Sequence, residues 1–184
     1  MDLKGKRLLI LGGSRISCEI VRHARAMGVT TGVTDWYPIE RCPAKAMADE
    51  AYFESTADTD AMEKLVKEKK FDGVITGFTD SVLPYYADIC DRTGLPAYGT
   101  RQQFEIFIDK KKYKELMRQN DVPTIPEYTV NTENFDESTK DIIYPVIVKP
   151  SESSGARGIT VCNTKEELKD AIGFAAETSE SDDI

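Results

Sequence analysis

The feature that most constrains this chain is an alternation through its first hundred residues. Short apolar runs take turns with stretches whose apolar residues recur at helical spacing. Arg7–Leu11 (RLLIL) reads as a buried strand and Gly12-Gly13-Ser14 as a turn; Ile16, Ile20, Val21, Ala24 and Met27 then stripe a helix that Gly28 closes. Val29–Thr34 is a second strand and Ala51–Phe53 a short third. Asp58 is placed to cap a helix over Thr59–Lys70, with Ala61, Met62, Leu65 and Val66 turned inward. Val74–Thr76 makes a fourth strand ending at Gly77. Val82, Leu83, Tyr86, Ile89 and Cys90 stripe another helix, and Leu95–Tyr98 is expected as a fifth strand. Runs that are apolar throughout, joined by helices rather than tight turns, predict a Rossmann-like α/β unit with a parallel sheet.

After Gly99 the pattern changes. Thr100–Ile108 and Asp109–Asn120 read as helices capped by Thr100 and Asp109, and Asp121–Pro126 as a proline-marked turn. Tyr128–Val130 is expected as a strand, Asn131–Lys140 as a polar connection, and Tyr144–Lys149 (YPVIVK) as a strongly apolar strand. Ser151–Gly158 is a small-residue loop and Ile159–Cys162 a returning strand. Thr164 and Glu167 form a T-x-x-E capping box at the head of a helix reaching about Ala176. The expected boundary falls near Gly99–Phe104, with an α/β domain over 1–103 and a partial α+β lobe over 104–184. Two strands and two helices leave a sheet face that this stretch does not cover, so the chain is expected to be an N-terminal piece of something longer.

Composition narrows the function. The 184 residues carry 24 Lys+Arg against 32 Asp+Glu, a net charge of −8, which argues against a nucleic-acid or anionic-membrane surface. No apolar run approaches the ~18 residues of a membrane helix, nor Leu8–Leu11 the ~7 of a secretory leader, so a cytoplasmic location is expected. Four scattered cysteines (Cys18, Cys42, Cys90, Cys162) and one histidine, His23, offer no zinc framework and no Cys/His nucleophile pair.

The segment richest in chemistry is Tyr144–Val161. Lys149 ends an apolar strand, where an ammonium needs an anion or water. Behind it, Ser-Glu-Ser-Ser-Gly-Ala-Arg-Gly supplies small residues whose backbone N–H groups can approach a polyphosphate. A surface hairpin with an incidental lysine is the competing reading. Lys110 opens the helix after Asp109, against the preference of the helix macrodipole, and is better placed beside a phosphate than in isolation; a solvated basic run is the alternative.

Taken in order, these segments resemble the ATP-grasp superfamily. They are an α/β domain, a D-K-x-x-aromatic helix (Asp109–Met117), a V-P-x-apolar-P turn (Val122–Pro126), the Y-P-V-apolar-V-K-P strand (Tyr144–Pro150), the Ser/Gly loop (Ser151–Ile159) and the capped helix (Thr164–Ala176). The likeness is nearest the carboxylate–amine ligase branch of biotin carboxylase, carbamoyl-phosphate synthase large subunits and phosphoribosylglycinamide synthetase. The resemblance implies that Lys110 and Lys149 contact the α/β-phosphates of ATP. It makes Ser153, Ser154, Gly155 and Gly158 a loop over those phosphates. Two patches, Gly13 and Ser14 after the first strand and Gly77 and Asp80 (with Thr79 and Ser81) after the fourth, would face the substrate. The partners implied are ATP, a small carboxylate and an amine, with Mg2+ held by acidic residues beyond Ile184. By the same likeness this stretch alone is expected to bind ATP weakly and turn nothing over. A Rossmann-type nucleotide- or metabolite-binding module without catalysis is the rival reading. Gly12-Gly13-Ser14 lacks the G-x-G-x-x-G spacing of dinucleotide enzymes, although Asp35 stands where a ribose-binding acid is found in them.

Overall fold

The computed structural model describes residues 2–77, 79–149 and 159–178, the last three for their backbone only. The chain divides into two compact units, Met1–Glu115 and Leu116–Ile184.

The first unit holds β1 (Arg7–Leu11), α1 (Ser17–Ala26), β2 (Thr30–Thr34), α2 (Pro43–Met47), β3 (Glu50–Tyr52), α3 (Thr59–Lys69), β4 (Gly73–Thr76), α4 (Leu83–Thr93) and α5 (Arg101–Ile108). Its sheet is parallel throughout, in the order β3-β2-β1-β4. Side chains on β1 alternate between two cores. Leu9 and Leu11 pack with Met62 and Leu65 of α3 and Ile89 of α4, while Ile10 packs on the other face with Val21 of α1 and Ala44 of α2. The expected caps form: the Asp58 carboxylate accepts the Ala61 N–H at 3.0 Å, and Thr100 and Gln103 complete a reciprocal capping box on α5. Ile16 and Met27, expected on the inward stripe of α1, lie half exposed beyond its two ends.

Leu95–Tyr98 is not a strand. Pro96 has no N–H for a ladder. The Leu95 N–H closes α4 on the Cys90 carbonyl, the Tyr98 N–H donates to the Tyr86 hydroxyl, and the Tyr98 hydroxyl donates to the Thr76 carbonyl at 3.0 Å. A side chain, rather than a fifth strand, therefore satisfies a β4 edge carbonyl. Phe104 of α5 packs edge-on to Tyr98 with ring centroids 5.4 Å apart, so α5 belongs to the first unit's core.

The division falls within α6 (Lys110–Gln119). The second unit then has α7 (Phe135–Ser138), the antiparallel pair β5 (Val146–Val148) and β6 (Thr160–Cys162), and α8 (Lys165–Thr178). Val148 and Cys162 turn inward onto Leu168, Ala171 and Ala175, while the cross-strand neighbours Ile147 and Val161 face outward. Tyr128–Val130 is also not a strand; no strand among the described residues pairs with it, and the Tyr128 hydroxyl instead accepts the Ile143 N–H. The stretch read as a polar connection contains α7. At the head of α8 Thr164 accepts the Glu167 N–H, but the Glu167 carboxylate reaches back to the Asn163 N–H at 2.7 Å, one residue before the expected partner. No helix among the described residues is long and apolar enough to cross a membrane.

Candidate functional site

Chain order and strand order disagree at one place in the sheet. The chain runs β1, β2, β3 to one side and then returns to lay β4 on the other side of β1. The connections after β1 and β4 diverge there, opening a crevice at the carboxyl edge, the usual ligand position in open α/β sheets. A pocket of about 310 Å3 occupies the carboxyl edge, lined by Gly12 and Ser14 after β1, Asp35 and Trp36 after β2, Thr56 after β3, and Thr79 and Ser81 after β4.

The floor of this pocket is built by a carboxylate. Asp35 accepts the Gly13 N–H at 2.8 Å on one oxygen and the Tyr37 N–H at 3.0 Å on the other, tying the turn after β1 to the turn after β2. Gly13 is required by close approach: a Cβ there would lie 2.8 Å from Cys42 Cβ and 2.9 Å from its Sγ. Cys42 is itself 1% exposed, and burial pushes its thiol pKa up, so it fills space rather than reacting.

The next turn is held by a lysine. Lys45 of α2 is 2% exposed. Its ammonium donates to the Asp35 carbonyl at 2.5 Å and the Tyr37 carbonyl at 2.6 Å, and sits 3.9 Å from the Phe53 ring centroid. Those carbonyls flank Trp36 in sequence, so the buried cation pins the segment that presents the indole. Trp36 is 68% exposed at the pocket rim, with its ring 4.6 Å from that of Tyr37.

Of the residues expected to face substrate, Ser14 lines the pocket, Gly13 lies buried beneath it and Gly77 is half-buried at the end of β4. Asp80 is exposed and begins a short 3-10 turn; its neighbours Thr79 and Ser81 line the pocket instead. The two patches, 65 positions apart between Ser14 and Thr79, are thus brought to one pocket. Trp36, Thr56 and Lys45 escaped the sequence reading. A lone aromatic after a strand carries no periodic signal, and a buried lysine is indistinguishable in sequence from a solvated one. Asp35 has an internal task, bonding Gly13 and Tyr37, where a ribose ligand was one reading.

Lys110 is the first residue of α6 and half-buried; the helix is capped by Asp109, which accepts the Lys111 and Lys112 N–H groups at 2.9 and 3.1 Å. Those bonds, the one from Lys112 foremost, hold the Asp109 carboxyl below the usual range. Lys149 directly follows β5 and is exposed. The expected loop residues Ser153, Ser154, Gly155 and Gly158 lie outside the described residues. No group of three or more His, Cys, Asp or Glu placed to hold a metal occurs among the described residues. The described residues do not fit a magnesium site.

Residues 109–183 match the family of the carbamoyl-phosphate synthase L chain, ATP binding domain. Over 177 residues the chain is 29% identical to the 2-oxoglutarate carboxylase small subunit of Hydrogenobacter thermophilus, covering 89% of this chain and 37% of that one. It is 30% identical over 185 residues to the formate-dependent phosphoribosylglycinamide formyltransferase of Sulfurisphaera tokodaii, covering 95% and 45%. The chain therefore spans less than half the length of these curated relatives. Among solved structures, the biotin carboxylase domain of the Hydrogenobacter thermophilus 2-oxoglutarate carboxylase, in complex with MgADP, ADP and bicarbonate, superposes with a TM-score of 0.70 at 26% identity, covering 97% of this chain and 43% of that one. An ADP complex of N5-carboxyaminoimidazole ribonucleotide synthetase shares the fold, with a TM-score of 0.75 at 19% identity over 95% of this chain and 45% of that one. The ordered motifs, the ATP binding domain matched over residues 109–183 and the shared fold agree in likening this chain to the ATP-grasp proteins.

Proposed function

We propose that this chain supplies phosphate contacts and a substrate-facing surface to an ATP-dependent, ADP-forming carboxylate–amine ligase. One observation carries the reading. The two lysine motifs, Asp109-Lys110 at the head of a capped helix and Lys149 directly after an apolar strand, both fall inside the segment that matches an ATP binding domain.

In this reading Lys110 and Lys149 neutralise charge on the α/β-phosphates, and the Ser153-Ser154-Gly155 and Gly158 backbone covers them. A substrate carboxylate oxygen attacks the γ-phosphorus, the bond to the β-bridging oxygen breaks, and ADP leaves an acyl phosphate. The amine nitrogen then attacks the acyl carbon and phosphate departs with the C–O bond pair. Such chemistry rests on positioning and charge neutralisation rather than on a protein nucleophile, which suits a chain without a Cys/His or Ser/His/Asp set. Gly13, Ser14, Gly77 and Asp80 mark the surface on the first unit that meets a substrate. Division of the chain into a domain over 1–103 and an ATP-grasp lobe over 104–184 is part of the same proposal.

The test is the affinity of the protein for ATP, followed by amide shifts in an NMR titration. Lys149→Ala and Lys110→Ala are each expected to weaken binding by about tenfold or more, the worth of one charge-assisted hydrogen bond. Lys64→Ala, on the exposed face of α3, is expected to change nothing. Unchanged affinity in the first two variants rejects the ligase reading.

A further inference from the structure

We propose that the pocket at the carboxyl edge of the first unit binds a small ligand carrying a cationic amine and a planar ring, and that it disfavours a phosphorylated one. A strand–turn–helix of this kind ordinarily offers free N–H groups to a phosphate. Here several N–H groups of the turn and the helix start are spent inside the protein. Gly12 N–H donates to the Thr34 carbonyl, and Ser17, Cys18 and Glu19 N–H donate to the carbonyls of Ser14, Arg15 and Ile16. Gly13 N–H is taken by the Asp35 carboxylate, which stands where a ligand anion would otherwise sit.

The charge of the lining points the same way. Among the described residues, Asp35 is its one ionisable side chain, and no lysine or arginine lines the pocket. A phosphate dianion would meet a fixed negative charge with no neutralising partner, whereas an ammonium would be stabilised by it. Each Asp35 oxygen accepts one N–H and keeps further lone-pair capacity for a ligand donor.

Trp36 supplies the second half of the specificity. Its exposed indole on the rim is a platform for a planar group and an attractive face for a cation. The Lys45 ammonium holds the backbone on both sides of it, so the platform is preorganised. The hydroxyls of Ser14, Thr56, Thr79 and Ser81 complete a wall able to donate or accept. At about 310 Å3 the volume lies at the small end of ligand sites. Making this ligand the amine reactant rests on the ligase reading; its binding does not.

Trp36 is the only tryptophan in the chain, so its emission reports this pocket alone. Two probes share a ring and differ in head group, phenethylamine and phenyl phosphate. Phenethylamine is expected to change Trp36 emission saturably at millimolar concentration, and phenyl phosphate is not. Asp35→Asn is expected to weaken the phenethylamine response by about tenfold or more, with the circular dichroism spectrum unchanged. If that variant fails to fold, the comparison of the two probes on the wild-type protein still decides. Preference for phenyl phosphate, no response to either probe, or full affinity in a folded Asp35→Asn overturns the proposal. ATP affinity in Lys149→Ala is read separately, so loss of the ligase reading and loss of this site are distinguishable results.

Discussion

A buried ammonium is costly unless its donors are used, and Lys45 uses two of its three on the main-chain carbonyls of Asp35 and Tyr37. Replacing it with methionine keeps the length and removes both bonds, leaving the Asp35 and Tyr37 carbonyls short of partners. Lys45→Met is expected to cost about 3 kcal/mol in a denaturant titration and, more specifically, to lower the fluorescence anisotropy of Trp36. A merely stabilising lysine would shift the unfolding midpoint and leave the anisotropy of the folded protein as it was. Gly13→Ala acts on the same turn from the other side. The added methyl meets Cys42 Cβ at 2.8 Å, so either α2 or the turn must move.

At the amino edge of the sheet the elements are stitched by a different device. Arg7 of β1 reaches across β2 to make a two-point contact with Glu50 of β3, whose carboxylate also accepts the Tyr52 hydroxyl. Gly32 of β2 is required by the close approach of an aromatic ring: a Cβ there would be 2.6 Å from the Phe71 ring. The Tyr52 hydroxyl first, and then Arg7, hold the Glu50 carboxyl below its ordinary value. Its contribution to stability is therefore full above about pH 4.3, the unfolded value, and is lost as pH falls through the depressed native one. Burial first, then Glu50, pushes Tyr52 up to about 12, so its share is intact below about pH 10 and disappears between about 10 and 12. Glu50→Gln should flatten the acid limb of a plot of denaturation midpoint against pH; an acid limb of undiminished slope would show the staple to be idle.

The legible elements were those with both a period and a punctuation mark. α3 has Asp58 before it and Met62, Leu65 and Val66 along it, and β1 is an unbroken RLLIL run. Leu95–Tyr98 and Tyr128–Val130 have strand composition, but whether a strand forms depends on a free neighbouring edge, which local sequence does not record. The pocket was half legible for the same reason: two small-residue turns announce themselves, whereas Trp36, Thr56 and Lys45 acquire meaning only when β2 and β3 are laid beside β1.

At the scale of the whole molecule, the two units have separate and unequal cores. The first buries two clusters on either face of a four-stranded sheet, whereas the described core of the second is Val148, Cys162, Leu168, Ala171 and Ala175 against a two-stranded hairpin. Apolar area removed from water sets most of the folding free energy, and a two-stranded hairpin gains independent stability only from what packs on it. Unfolding in urea is therefore expected in two steps, the second unit first. Far-ultraviolet circular dichroism sees helices of both units, but Trp36 lies in the first and reports that one alone. The dichroism curve should begin to fall before tryptophan emission does. Leu168→Ala, which empties a side chain 3% exposed on α8, should move only the early phase, by about 2–5 kcal/mol. Coincident curves, or a Trp36 midpoint that shifts with Leu168→Ala, would mean that the two units fold as a single cooperative body.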